Sequence, residues 1–267
     1  MGRAVGELTF PEISRRLTET SILCLPIGAI EQHGAHLPLN TDAVIAEELA
    51  RRIVARWGNE FDLWLLPTVV ISLSREHDWA PGTLSLTIQT FVALLKDLAR
   101  EIVRALPARN VVIVNGHGGN RGILDNLMHE LHSELALNVC VIHPFDLSKA
   151  TTHVASPDVH AGKNETSVML ALAPHLVRKD LVRHNFTASP RQAADRDAIT
   201  AMIFDRGVSF PWRTDDPRLA ANGVIGEAHA ASPEVGQVII ESIIAQTQGV
   251  LARLLENQRL VSRYRSS

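Results

Sequence analysis

The stretch Glu31-Gln32-His33-Gly34-Ala35-His36-Leu37-Pro38-Leu39-Asn40-Thr41-Asp42 gathers carboxylates and imidazoles at a single turn. Mixed oxygen and nitrogen ligands suit zinc, manganese or iron, and a carboxylate shared by two ions can hold them a few ångströms apart. Glu31 and His33 are two residues apart, so an extended backbone would aim both side chains to one side. Asp42 arrives from the far end of the loop, at a helix start whose unpaired amides also favour a carboxylate. Taken singly, Asp42 reads as a helix cap and each histidine as an ordinary turn residue. Their combination at one turn is what points to metal chemistry.

A second such place is Asn115-Gly116-His117-Gly118-Gly119-Asn120. As a glycine-rich loop between strand and helix it can cradle a phosphate through backbone amides. It lacks the Lys-Ser/Thr ending of a P-loop and the glycine spacing of a dinucleotide fingerprint. Alternatively the glycines let backbone crowd around a metal-bound His117, and this reading is favoured because Glu31, His33 and Asp42 need partners. A third segment, His160 to Ser167, adds an imidazole and the carboxylate of Glu165. Glu165 at a helix start is by itself a dipole-complementing acid; in the same pocket it completes the shell. The loop from Ser72 to Thr83 mixes Glu76, His77 and Trp79, which suits a pocket wall better than a plain connection.

The elements that must position these groups alternate between strands and helices. Ser21 to Ile30 reads as a buried strand and is followed by a helix from Ala43 to about Trp57 with Val44, Ile45, Leu49, Ile53 and Val54 at helical spacing. Leu63 to Ile71 is a strand bent at Pro67. Thr87 caps a helix with Phe91, Leu94, Leu95, Leu98, Ile102 and Leu106 as its apolar stripe. Asn110–Val114 is a strand opening into the His117 loop and a helix to about Leu135, and Val139–Ile142 is another strand. Residues 144–163 read as irregular, Glu165 begins a short helix stopped near Pro174, and residues 183–231 read as a long surface excursion. A last helix from about Pro233 to Asn257 offers Val238, Ile239, Ile243, Ile244, Val250, Leu251 and Leu254 to the core, with a frayed tail from Arg259. Near the start, Leu8, Phe10, Ile13 and Leu17 are placed to pack beneath the first strand. The pattern predicts one domain over residues 1–267, a three-layer α/β/α fold with a mainly parallel central sheet and sites beyond the carboxyl ends of the strands.

Composition excludes little but is consistent. Lys plus Arg number 26 against 29 Asp plus Glu, so no positive field points to nucleic acid. No window shows the uninterrupted apolar length of a membrane span, and the N-terminus does not read as a signal peptide. Cys24 and Cys140 sit in apolar strands and read as buried thiols. A cytoplasmic location without membrane partners is the expectation.

The Leu25 to Asp42 phrase, the Trp79-Ala80-Pro81-Gly82-Thr83-Leu84-Ser85-Leu86 stretch, the Asn115 to Asn120 loop and the His160 to Leu172 segment together resemble the creatininase family, in order and over most of the chain. Gly223-Val224-Ile225-Gly226 and Ala231 to Gly236 extend the match. The resemblance implies a homo-oligomer, often a hexamer, with two divalent metal ions (Zn, Mn or Fe) that hydrolyses a C–N bond of a small cyclic amide or formamide by a metal-activated water. Family relatives that process a small peptide or open a lactone ring are the alternative. Matched by position, the resemblance implies that Glu31 and His117 bind one metal, His33 the other, that Asp42 bridges them, and that His160 shuttles protons. Gly118 and Asn120, with Glu76, His77 and Trp79, are the substrate-side candidates. Creatininase proper carries a further glutamate, a ligand of the second metal, where this chain has Gly119. Glu165, also a family position, is the expected replacement as metal ligand and catalytic group. Creatininase proper also has tryptophans near the segments that here read His143 to Asp146 and Ser156 to Asp158; their absence argues against creatinine itself.

Overall fold

The computed structural model describes residues 2–151, 158–183, 210–216, 219–220 and 222–265, those from 260 onward by backbone alone. Its elements are α1 (Phe10–Arg16), β1 (Ile22–Ile27), α2 (Thr41–Phe61), β2 (Leu63–Leu65), α3 (Ile88–Ala105), β3 (Asn110–Asn115), α4 (Arg121–Leu135), β4 (Asn138–Ile142), α5 (Pro144–Leu147), α6 (Lys163–Leu172) and α7 (Pro233–Arg265). Among the described residues the strands pair in the order β2-β1-β3-β4, all parallel, with Ile22 opposite both Leu63 and Asn110, and Asn110 opposite Asn138.

Side chains alternate across the sheet and both faces are covered, which explains why the strands read as continuous apolar runs. Cys24, Leu65, Val112 and Val114 turn to the face packed by α2, α6 and α7. Leu23, Leu25, Val111 and Ile113 turn to the face packed by α3 and α4, with Leu17 from just beyond α1. This is the three-layer α/β/α arrangement. Thr87 caps α3 as expected, its hydroxyl accepting from the Thr90 amide at 3.2 Å.

Several sequence expectations are corrected. The β1 ladder stops at Ile27, and Ile30 is an isolated antiparallel bridge to Leu84, so Glu31 and His33 lie on irregular chain. Pro67 ends β2 early, after which Val69 touches Ile27 only as a bridge. Phe10 is solvent-exposed because α1 lies on the surface with Leu17 as its anchor, and Val238 is exposed on the outer side of α7. Residues 144–147 form the short helix α5, and α7 continues through the expected tail to Arg265.

By length and composition α7 qualifies as a membrane span between Pro233 and Arg259, contrary to the reading of the sequence. Its Ile239, Ile240, Ile243, Leu251 and Leu254 are buried in the cluster it shares with α2, α6 and the sheet, and about a third of that apolar window is buried in all. Of the excursion before it, residues 184–209, 217–218 and 221 lie outside the described residues, and in the described part Thr214, Leu219, Ala220, Val224 and Ile225 are buried, so that part is not purely superficial.

Candidate metal centre

The loops after β1 and β3 leave neighbouring strands at their carboxyl ends and are tied together there, the Gly116 amide donating to the Ile27 carbonyl at 2.8 Å. This places the turn carrying Glu31, His33 and Asp42 directly beside His117. Asp42 sits in the first turn of α2, and its two oxygens diverge: Oδ1 faces His33 Nε2 at 3.0 Å and Oδ2 faces His117 Nδ1 at 3.0 Å. Glu31 Oε2 lies 3.2 Å from the same His117 nitrogen. Glu165, entering from the start of α6, brings Oε2 to 3.9 Å from His33 Nε2 while accepting the Ala161 amide at 2.5 Å.

His33, His160 and His77 each keep one nitrogen hydrogen-bonded and turn the other toward the carboxylates. His33 Nδ1 donates to the Glu31 carbonyl at 3.1 Å, and Nε2 faces Asp42 Oδ1 at 3.0 Å, donating a proton to that carboxylate in the absence of an ion. His160 Nε2 donates to the Gln32 carbonyl at 2.7 Å, which leaves Nδ1 facing Glu31 Oε1 at 3.6 Å. His77 Nδ1 contacts the Thr214 hydroxyl at 2.8 Å and its Nε2 lies 3.4 Å from Glu31 Oε1. Anchoring of this kind fixes the tautomer and aims the free nitrogen at a metal or a proton.

Among the described residues three groups can each hold an ion: Glu31, Asp42 and His117; His33, His160 and Glu165; and Glu31, His77 and His160. The donor set fits a cation for a second reason. Among the described residues Glu31 Oε1 and Oε2 and Asp42 Oδ2 are buried without an aligned hydrogen-bond donor, a costly state for ionised carboxylates unless positive charge is supplied. Burial drives the Glu31 carboxyl up to about 7 and that of Glu165 up to about 8. Burial would lower His33, but Asp42 and the other carboxylates outweigh it and raise it to about 10. Burial holds His77 down at about 3 and His160 well below the usual imidazole range. A divalent ion at these groups would compete with protons for the same buried side chains.

The sequence candidates are not all equivalent. Glu31, His33, Asp42, His117, His160 and Glu165 converge, whereas His36 turns aside to bond Thr166 at 2.9 Å. Glu76 Oε1 lies 3.3 Å from His117 Nε2, and His77 stacks on His160 at 4.0 Å between ring centres. Trp79 is partly exposed and donates its indole N–H to Thr214 at 2.9 Å. Gly118 is exposed. Asn120 is buried and braces the loop, bonding Asn115 at 3.2 Å and the Leu73 amide at 3.3 Å. His143 bonds Asn115 at 3.2 Å, while residues 156–157 lie outside the described chain.

Sequence reasoning missed Gln32, Thr214 and Trp212. Gln32 accepts the Gly34 amide at 2.9 Å and turns its NH₂ to the Gly223 carbonyl at 2.9 Å, beside His77, His160 and Thr214. Trp212 sets its ring edge to His77 at 6.2 Å. The one signal for Gln32 was its position between two candidate ligands; Thr214 and Trp212 come from a stretch without periodicity.

The sequence profile described as "Creatininase: Creatinine amidohydrolase" matches residues 6–251. The chain is 30% identical over 273 aligned positions to the creatinine amidohydrolase of Pseudomonas putida, covering 94% of this chain and 96% of that protein. It is 37% identical over 183 positions to the mycofactocin precursor peptide peptidase of Mycobacterium tuberculosis (strain CDC 1551 / Oshkosh), covering 66% of this chain and 68% of that one. The solved structure "Creatininase Mn" superposes with a TM-score of 0.76 at 29% identity, covering 96% of this chain and 99% of its own.

Proposed function

The chain belongs to the creatininase family of metal-dependent amidohydrolases, and we propose that it acts as a single domain over residues 1–267 that cleaves a C–N bond of a small cyclic amide or formamide. The observation that carries this reading is Asp42, whose two oxygens face imidazoles on opposite sides at 3.0 Å each. Glu31, Asp42 and His117 would hold one divalent ion, and His33, Asp42 and Glu165 the other; Zn, Mn or Fe suits these ligands. When bound, such ions supply a water of lowered pKa and polarise the amide carbonyl.

The protein's own groups do the rest. His160, held through Nε2 by the Gln32 carbonyl, takes a proton on Nδ1 and returns it to the leaving nitrogen. Glu165 holds its carboxylate beside His33 through the Ala161 amide. Glu76, His77, Trp79 and Gly118 form the substrate side, and Asn120 keeps the His117 loop in shape. Assembly as a homo-oligomer, up to a hexamer, and a cytoplasmic location belong to the same reading.

A second reading, cleavage of a small peptide, is favoured by the 37% identity to the peptidase. The test is hydrolysis by metal-loaded protein of cyclic amides, formamides and short peptides, with and without chelator. Chelator-sensitive turnover of a cyclic amide or formamide is expected, and turnover of peptides alone would transfer the assignment to the second reading. Stabilisation by inorganic phosphate that persists in chelator, without amide hydrolysis, would instead favour a phosphate-binding loop.

A further inference from the structure

His117 turns Nδ1 toward Asp42 and Glu31, so its other nitrogen, Nε2, points out of the ligand cluster. What it meets is the carboxylate of Glu76, on the short 3-10 turn Arg75–His77, with Oε1 3.3 Å away. As the ring sits this is an ion-pair contact, and no aligned hydrogen-bond partner occupies Nε2 among the described residues. Among the described residues, Glu76 is outside the groups able to hold an ion.

Gly119 explains how the carboxylate gets there. A Cβ at Gly119 would lie 2.3 Å from Glu76 Oε1 and 2.4 Å from His117 Nε2. Gly119 does not have a positive φ, so glycine is needed there for room and not for backbone freedom. The neighbouring Gly118 has open space where its Cβ would be. Gly119, the third glycine of the loop, thus clears one specific contact, between two groups from different loops.

Resting on the metal-centre reading above, we propose that Glu76 is the positioning carboxylate of His117: it accepts the Nε2 proton, fixes the tautomer that leaves Nδ1 free for the metal, and depends on Gly119 to reach the ring. Carboxylates behind a ligating histidine raise its basicity and hold its orientation, and their loss commonly costs about 10- to 100-fold in metal affinity.

The test is zinc affinity, by competition with a chromophoric chelator, for wild type, Glu76→Ala, Glu76→Gln, Gly119→Ala and the Glu76→Ala/Gly119→Ala double variant, with the melting temperature of each metal-free protein as a check of the fold. Glu76→Ala and Gly119→Ala are each expected to weaken zinc by about 10- to 100-fold, and the double variant no further than the worse single, because both break the same contact. Glu76→Gln, whose amide oxygen still accepts the proton, is expected to stay within a few fold of wild type. Wild-type affinity in Gly119→Ala or Glu76→Ala, or losses that multiply in the double variant, would overturn the proposal. Wild type without zinc affinity would overturn the metal centre itself, a distinguishable failure.

Discussion

Gly116 and Asp42 meet backbone to backbone: a Cβ on Gly116 would lie 2.4 Å from the Asp42 carbonyl oxygen. The end of β3 therefore sets the position of the first turn of α2, and with it the Asp42 carboxylate proposed to bridge the ions. Gly116→Ala is expected to cost about 1–3 kcal/mol of stability, as overpacking does, and to lower metal content by displacing Asp42. Denaturant melts and elemental analysis check this, and a variant with wild-type stability and metal would show that the contact is unimportant.

Glu165→Gln is expected to remove one of two bound ions and leave the other, since His33 loses its partner carboxylate at 3.9 Å while Glu31, Asp42 and His117 are untouched. Metal content measured on the purified variant decides the matter. Unchanged content would mean that the second ion is held without Glu165.

His160→Ala is expected to retain metal and lose turnover by about 10²- to 10⁴-fold, the usual worth of a positioned acid–base group. Its inward Nδ1 lies 3.6 Å from Glu31 Oε1, while the outward nitrogen bonds Gln32. Undiminished turnover would remove its role; loss of metal would make it a ligand.

Much of this was legible in the sequence because it is local. Thr87, Gly116 and the strand at Asn110–Val114 announce themselves by type and spacing, and the sheet's apolar runs follow from its two covered faces. Glu31, His33 and Asp42 could be grouped because one turn holds them. The route was misread even so: Glu31 and His33 converge because His33 bonds the Glu31 carbonyl, and not because a strand continues. Thr214 and Gln32 were invisible because their partners lie 182 positions apart in sequence, and the relation of Glu76 to Gly119 depends on two loops meeting in space.

Thr87→Ala removes only the cap of α3, whose hydroxyl accepts the Thr90 amide on an exposed helix end. A loss of about 1 kcal/mol is expected, with metal content unchanged. A calorimetric or denaturant midpoint checks it, and a fall in bound metal would mean that α3 is coupled to the site.

The central claim is that Asp42 joins two metal ions, and elemental analysis of wild type and Asp42→Ala in parallel tests it most directly. About two divalent ions per chain in the wild type, with both lost in the variant, is the expected result for a bridging ligand. A wild type that takes up no metal when it is supplied, or an Asp42→Ala protein that keeps both ions, would contradict it.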